Sequence, residues 1–527
     1  MLEVLIKGSR VVDGTGKSAF EADVGIAEGR IAVVGKDVEQ EAACVIDARG
    51  LYLSPGFIDP HTHSDLTLIV DPRAESKIRQ GVTTEVIGNC GFSPAPLVGA
   101  AVEEVGAEAA LLGIDVTWRT MGEYLERLRN PGTALNVVAL AGHNTVRGSV
   151  LGYDDVQPSP AQQAEMEKLT AEAIEQGARG LSTGLFYPPG FYAQTEEVIG
   201  LARVVAHHGG TYATHIRSES DLLLESVAEA IEIGEKAKVK VEVSHLKLAG
   251  YRNWEGVDRL MSILENAQAR GIRLGCDQYP YNASSSWLAC MLPYWAQAGG
   301  SKAVAERLRD PKVRLQLLKD WEENRVEWEN RGQHRDWTDI VVSNCEVCPE
   351  VLGKNIAEIA KAEGKDPLEA AFDLIIVNEG QVGCVWFDQS EDNVQTLMRH
   401  PLVVVGSDGS SLSPEGILGQ NRPHPRSYGS FPRVLGRYVR EENVLLLEEA
   451  VKKMTSVTAA RFGLVDRGIV REGAWADLVL FDAQTVGDRA TFTQPHQYPV
   501  GIPYVIVNGQ IVIDGSEHTG ALPGCVL

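Results

Sequence analysis

Along the middle of the chain, short apolar runs alternate with longer amphipathic stretches, and turn residues separate the two. The runs are Leu53 to Ile58, Thr83 to Ile87, Asn136 to Leu140, Ala178 to Ser182, Thr211 to Thr214, Val239 to Ser244, Ile272 to Cys276 and Leu402 to Gly406. Runs this short and this apolar read as strands buried on both faces, and the stretches between them as helices, which is the pattern of a parallel sheet. The repeat predicts an α/β fold organised as a (β/α)8 TIM-like barrel, whose active site sits where the strands' C-terminal ends meet.

The two ends of the chain have a different texture. Val4 to Ile6, Val24 to Ile26, Arg30 to Val34 and Cys44 to Asp47 are short β-type runs joined by turns such as Asp13-Gly14-Thr15-Gly16. The same pattern returns in Gly473 to Asp482, Tyr504 to Gly509 and Gln510 to Ile513. These pieces predict one small β-sandwich domain built from residues 1–54 and 467–527, with residues 55–466 as the barrel inserted between them. The interval before the last apolar run is too long for one βα unit. Its aromatic and charged stretch from Trp287 to Trp337, including Asp320 to Glu329, predicts a helical insertion at about residues 286–340 that covers the barrel mouth.

Polar residues at the ends of the runs change the picture from fold to chemistry. His61 and His63 follow the first run, Cys90 the second, His215 the fifth, His245 the sixth and Asp408 the eighth. Side chains two apart in a strand point the same way, so His61 and His63 aim at one side. A thiolate and two neutral imidazoles make three zinc ligands and leave a fourth position open, the pattern of a catalytic site. Zinc lowers the pKa of a coordinated water to about 7 and polarises a neighbouring carbonyl. Asp408 then suits the general acid and base role, taking a proton from water and returning it to a leaving nitrogen.

Composition narrows the partners. The net charge is −23, from 49 Lys and Arg against 72 Asp and Glu, which argues against nucleic acid or an anionic membrane as the main partner. No apolar run reaches the roughly 18 residues of a membrane span, and Met1 to Gly8 lacks the basic start and apolar core of a cleaved leader. Eight scattered cysteines fit a reducing compartment, so a cytoplasmic location is expected. Cys345-x-x-Cys348 has the spacing of half a zinc knuckle, but no second pair follows. His143 also follows a strand and reads as structural, while His207, His208, His334, His400, His496 and His518 have no comparable placement.

The chain resembles the N-acyl-D-amino-acid deacylases (D-aminoacylases) of the amidohydrolase superfamily. The resemblance rests on Gly56 to His63, Gly88 to Pro94, Ser182 to Pro189, Thr214 to Arg217, Ser244 to Lys247, Tyr279 to Tyr281, Gly406 to Gly409, and His424 to Arg426 running into Phe431 to Gly436. Many superfamily members bridge two metals with a carboxylated lysine on the fourth strand, but Ala178 to Gly184 contains none. The resemblance implies a tight zinc on Cys90, His215 and His245, and a weaker second site on His61 and His63. It also implies that Arg426, Lys247 and Tyr279 hold the substrate's α-carboxylate, and that Phe186 and Tyr187 line a pocket for an apolar side chain. The expected reaction converts an N-acyl-D-amino acid, a small-molecule partner, to a carboxylate and a free D-amino acid. Alternatives are a hydantoinase-like hydrolase of cyclic amides, a D-dipeptide hydrolase and a catalytically silent scaffold. Gly409 to Pro425 is longer than in the deacylases, which bears on the placement of Arg426 and on side-chain preference.

Overall fold

Segments from both ends of the chain meet in one sheet. The computed structural model describes residues 1–323, 329 and 336–527. Strands β1 (Leu2–Val11), β2 (Phe20–Ala27), β3 (Arg30–Gly35), β4 (Ala42–Asp47) and β5 (Tyr52–Pro55) come from the N-terminal part. The middle of the chain supplies β6 (Phe57–Asp59), β7 (Val82–Ile87), β8 (Asn136–Ala139), β9 (Ala141–Gly142), β10 (Gly180–Gly184), β11 (Thr211–His215), β12 (Lys240–Val243) and β13 (Leu274–Gln278). There follow β14 (Ser284–Trp287), β15 (Ile340–Asn344), β16 (Gly383–Trp386) and β17 (Val403–Val405), and finally β18 (Leu478–Phe481), β19 (Tyr504–Val507), β20 (Gln510–Asp514) and β21 (Glu517–His518).

The terminal sheet has the order β21-β20-β19-β18-β5-β1-β2-β3, with β4 paired to β1. Period-two alternation divides its side chains between two cores. Leu478 and Leu480 join Val4, Ile6, Val24, Ile26 and Leu53 on one face, while Val479 and Phe481 pack into the central core on the other.

Two parallel sheets hold the middle of the chain, β6-β7-β8 and β17-β13-β12-β11-β10-β9. Only Leu140 separates β8 from β9, and a parallel bridge pairs Thr62 with Gly409 beyond the ends of β6 and β17. Every residue of β7 is buried, including Thr83, Thr84 and Glu85, as expected for a strand covered on both faces. The first apolar run divides between sheets: Tyr52 to Pro55 pair with β18, and Phe57 to Asp59 with β7. Helices fill the intervals. Residues Pro160–Glu175, for example, begin with a Ser159 and Gln162 capping box and a proline at the first turn.

The excursion between β13 and β17 extends well beyond the helical segment expected at about residues 286–340, within which the described elements are mostly helical. It contains helices Ser301–Leu308, Pro311–Glu322, Ile356–Glu363 and Pro367–Val377, but also the antiparallel sheet β14-β16-β15. Leu288, Met291, Ile340, Val342, Phe372 and Trp386 form its own core. The short runs at Ile340 to Val342 and Cys384 to Trp386 are rich in β-branched and aromatic residues, and they acquire meaning only as partners of each other. Residues 324–328 and 330–335, much of the aromatic and charged stretch expected at the mouth, lie outside the described residues, as does His334. Among the described residues, no helix is long and apolar enough to cross a membrane.

Candidate metal centre and active site

Three residues of the site occupy backbone conformations that non-glycine residues rarely adopt. Cys90 has φ 53°, His245 φ 36° and Asp408 φ 51°. Such conformations cost on the order of 1–3 kcal/mol each and persist where surrounding structure fixes them. The surroundings are visible here. The Cys90 turn is flanked by Gly88 and Gly91, where a Cβ would lie 2.1 Å from the Leu140 carbonyl oxygen and 2.2 Å from Asn144 Oδ1. His245 N–H donates to Asp277 Oδ1 (2.9 Å), and Asp408 N–H donates to the His61 carbonyl (2.9 Å).

These turns bring the donor atoms into one buried place. Cys90 Sγ lies 3.3 Å from His61 Nε2 and 3.4 Å from His245 Nε2. His63 Nε2 and His61 Nε2 lie 3.0 and 3.5 Å from Asp408 Oδ1, so both imidazoles of the His-x-His pair face the same carboxylate. The rings of His215 and His245 meet edge to face at 4.4 Å. Two sets of mutually close ligand atoms result: His61, Cys90, His245 and Asp408, and His215, Glu219 and His245. His245 belongs to both.

The electrostatics of this set suit a divalent cation. Burial alone would raise the Cys90 pKa, but the His61 and His245 imidazoles hold it well below the ordinary thiol value, giving the thiolate that ligates metal. Burial likewise opposes ionisation of Asp408, yet Arg426, His245 and His61 keep it well below the carboxylate range. Burial lowers the His215 pKa and favours the neutral ring, and among the described residues neither of its buried ring nitrogens has a hydrogen-bond partner. For His61, burial is outweighed by Asp277, Cys90 and Asp408, which hold the imidazole pKa well above its ordinary value. Orphaned imidazole nitrogens beside a thiolate and carboxylates are a donor set that a metal satisfies, releasing the imidazole proton as it binds.

The residues expected to bind substrate converge on the same place. Lys247 Nζ and the Arg426 guanidinium lie 5.6 and 5.0 Å from the centroid of the Tyr279 ring. Arg426 also pairs with Asp408 Oδ2 at 2.7 Å, and Lys247 pairs with Glu219. The long segment after Asp408 therefore leaves Arg426 beside it. His424 anchors that segment: its Nδ1 accepts from Arg426 N–H (3.0 Å) and its Nε2 donates to the Ala283 carbonyl (3.0 Å). Phe186 stacks on His215 at 5.2 Å, and the Tyr187 ring lies 4.9 Å from it. Tyr187 Oη is 3.1 Å from Ser286 Oγ, at the start of the excursion.

Two acidic residues escaped the sequence reading. Glu219 Oε1 accepts from His245 Nδ1 at 2.8 Å, which turns Nε2 toward Cys90. Asp277 does the same for His61 Nδ1 at 3.2 Å. Glu219 lies four residues past His215, and Asp277 one residue past the seventh apolar run. His143, by contrast, pairs with Glu197 at 2.8 Å, next to Arg147. Among the described residues, Cys345 and Cys348 join no group of three or more close ligand atoms.

A buried cluster of thiolate, imidazole and carboxylate at the ends of parallel strands defines a hydrolytic metal centre in class, and the chain belongs to the amidohydrolase family, which it matches over residues 44–513. Within that family it is similar to deacylases of N-acyl-D-amino acids. It is 38% identical to the N-acyl-D-glutamate deacylase of Alcaligenes xylosoxydans xylosoxydans, covering 96% of this chain and 93% of that one. The crystal structure of N-acyl-D-glutamate deacylase from Bordetella bronchiseptica, complexed with zinc and a phosphonate mimic of the tetrahedral intermediate, superposes with a TM-score of 0.84 at 35% identity, covering 100% of this chain and 99% of that one. A D-aminoacylase crystal structure gives the same TM-score and identity with complete coverage of both chains.

Proposed function

We propose that this protein is a zinc-dependent hydrolase that removes the acyl group from N-acyl-D-amino acids. One observation carries the reading: Cys90, His61, His215, His245 and Asp408 gather in one buried site of a chain 38% identical to an N-acyl-D-glutamate deacylase over nearly its whole length. We assign the tight site to Cys90, His215 and His245, and a weaker one to His61 and His63. Zinc, when bound there, supplies Lewis acidity toward the amide carbonyl and lowers the pKa of a coordinated water. The fourth parallel strand, Gly180–Gly184, carries Ser182 and Thr183 but no lysine, which favours deacylation over hydantoinase-like ring opening.

The remaining chemistry belongs to the chain's own groups. Asp408 faces His61 and His63, accepts a proton from water and returns it to the departing nitrogen. Arg426 and Lys247 take the α-carboxylate, a guanidinium fork beside a point charge, with Tyr279 as the aromatic floor between them. Substrate thus displaces two internal ion pairs, with Asp408 and Glu219. Phe186 and Tyr187 beside His215 favour an apolar side chain.

The architecture we infer is a (β/α)8 barrel of β6, β7, the continuous β8–β9, β10, β11, β12, β13 and β17, whose closure is supported by the Thr62 and Gly409 bridge. A small β-sandwich domain from residues 1–54 and 467–527 adjoins it, and the excursion after β13 covers the mouth. Eight free cysteines support a cytoplasmic location.

The test is amine release from matched substrates by the purified protein. N-acetyl-D-methionine is expected to be hydrolysed roughly 100-fold faster than the L-form, because a wrong enantiomer cannot satisfy carboxylate clamp and side-chain pocket together. N-acetyl-D-glutamate is expected to be slower than N-acetyl-D-methionine. Preference for the L-forms, or faster opening of a hydantoin, would contradict the assignment.

A further inference from the structure

A lysine outside the set of ligands and substrate contacts sits at the junction that carries Asp408. Lys77 belongs to the short helix Glu75–Ile78, and its side chain is fully buried. Its ammonium donates to Asp59 Oδ2 (2.8 Å), Ser407 Oγ (2.5 Å) and the Gly409 carbonyl (3.3 Å), with Glu85 Oε1 at 3.3 Å. Two of these partners are the residues on either side of Asp408. A third, Asp59, is two residues before His61, and its Oδ1 accepts from the N–H groups of Ser407 (2.9 Å) and His61 (3.3 Å).

We propose that Lys77 is a positioning residue for Asp408: a buried ammonium that ties the end of β6 to the end of β17 and holds the proton-carrying carboxylate in its left-handed turn. The inference rests on the reading of Asp408 as proton carrier given above. The geometry gives it direction. Asp408 has φ 51°, a conformation that an aspartate keeps only if its flanks are fixed. The flanks are fixed from two sides. Gly409 N–H donates to Ser407 Oγ (3.0 Å), the same oxygen that accepts from Lys77, and His63 N–H donates to the Gly409 carbonyl (3.0 Å), which Lys77 also contacts. Two of the groups that fix the residues flanking Asp408, the Ser407 hydroxyl and the Gly409 carbonyl, therefore bond directly to the ammonium. Taking a fully buried charge from two carboxylates is costly in itself, so a test must separate positioning from folding.

Two variants do so: Lys77→Met, which keeps the stem and removes the charge, and Lys77→Met/Glu85→Gln, which also restores the local charge balance. Thermal melting, bound zinc, kcat and KM for N-acetyl-D-methionine, and a crystal structure are measured on both and on wild type. For the double variant we expect near wild-type melting and tight zinc content, KM within about threefold of wild type and kcat lowered about 100-fold, the cost of roughly 1 Å of misplacement. Wild-type kcat in the double variant overturns the inference. So does a loss of kcat that merely follows the folded, zinc-loaded fraction, or failure of both variants to fold, since each makes Lys77 structural only. If wild type itself releases no amine, the functional reading fails instead, and the structure decides: Asp408 moved away from the His61 carbonyl supports positioning, and an unmoved turn overturns it.

Discussion

Cys90→Ala protein is expected to fold, to lose its tight zinc and to hydrolyse N-acetyl-D-methionine at least about a thousandfold more slowly than wild type. The magnitude follows from Lewis-acid stabilisation worth several kcal/mol, at about 1.4 kcal/mol per factor of ten. Cys90 is the thiolate among the donors, and its sulfur sits between His61 and His245. Alanine differs from cysteine only by the sulfur, so the substitution removes the ligand atom while leaving the Cβ and the left-handed turn between Gly88 and Gly91 in place. The variant's zinc content by elemental analysis and its melting temperature separate loss of metal from loss of fold. Full activity in this variant would remove Cys90 from the site.

Asp408→Asn is expected to behave differently, retaining zinc while kcat falls by about 10²- to 10⁴-fold, the range of general acid and base catalysis. Asparagine keeps the shape but neither accepts a proton nor carries charge. A second consequence concerns binding. Arg426 pairs with Asp408, so neutralising Asp408 frees the guanidinium for the substrate's carboxylate. KM should therefore stay level or fall while kcat collapses, a split that steady-state kinetics reads directly. A rise in KM with kcat unchanged would instead make Asp408 a binding residue.

How much of this was legible in the sequence depends on how rare each signal is. The parallel strands were readable because strands buried on both faces are continuous apolar runs, as in Val403–Val405. The first run was misleading in one respect: a single apolar stretch serves two sheets, changing partner at Gly56, where a Cβ would lie 2.2 Å from the Thr83 side chain. The histidines and Cys90 stood out because these residue types are sparse and fall past strand ends. Glu219, Asp277 and Lys77 did not, because in a chain with 72 acidic and 49 basic residues one more charge carries no signal until its neighbours are known. The strands of the excursion were hidden for a related reason. Ser284 pairs with Trp386, and no local pattern announces a partner so distant in the chain.

The central claim, a zinc centre serving D-specific deacylation, is tested most directly by removing metal with a chelator and returning zinc in measured steps while amine release is followed. Hydrolysis of N-acetyl-D-methionine is expected to be lost on chelation and to climb to its maximum with the first equivalent of zinc, with N-acetyl-L-methionine turned over roughly 100-fold more slowly throughout. Full activity in the metal-free protein, or equal turnover of the L-form, would contradict that claim.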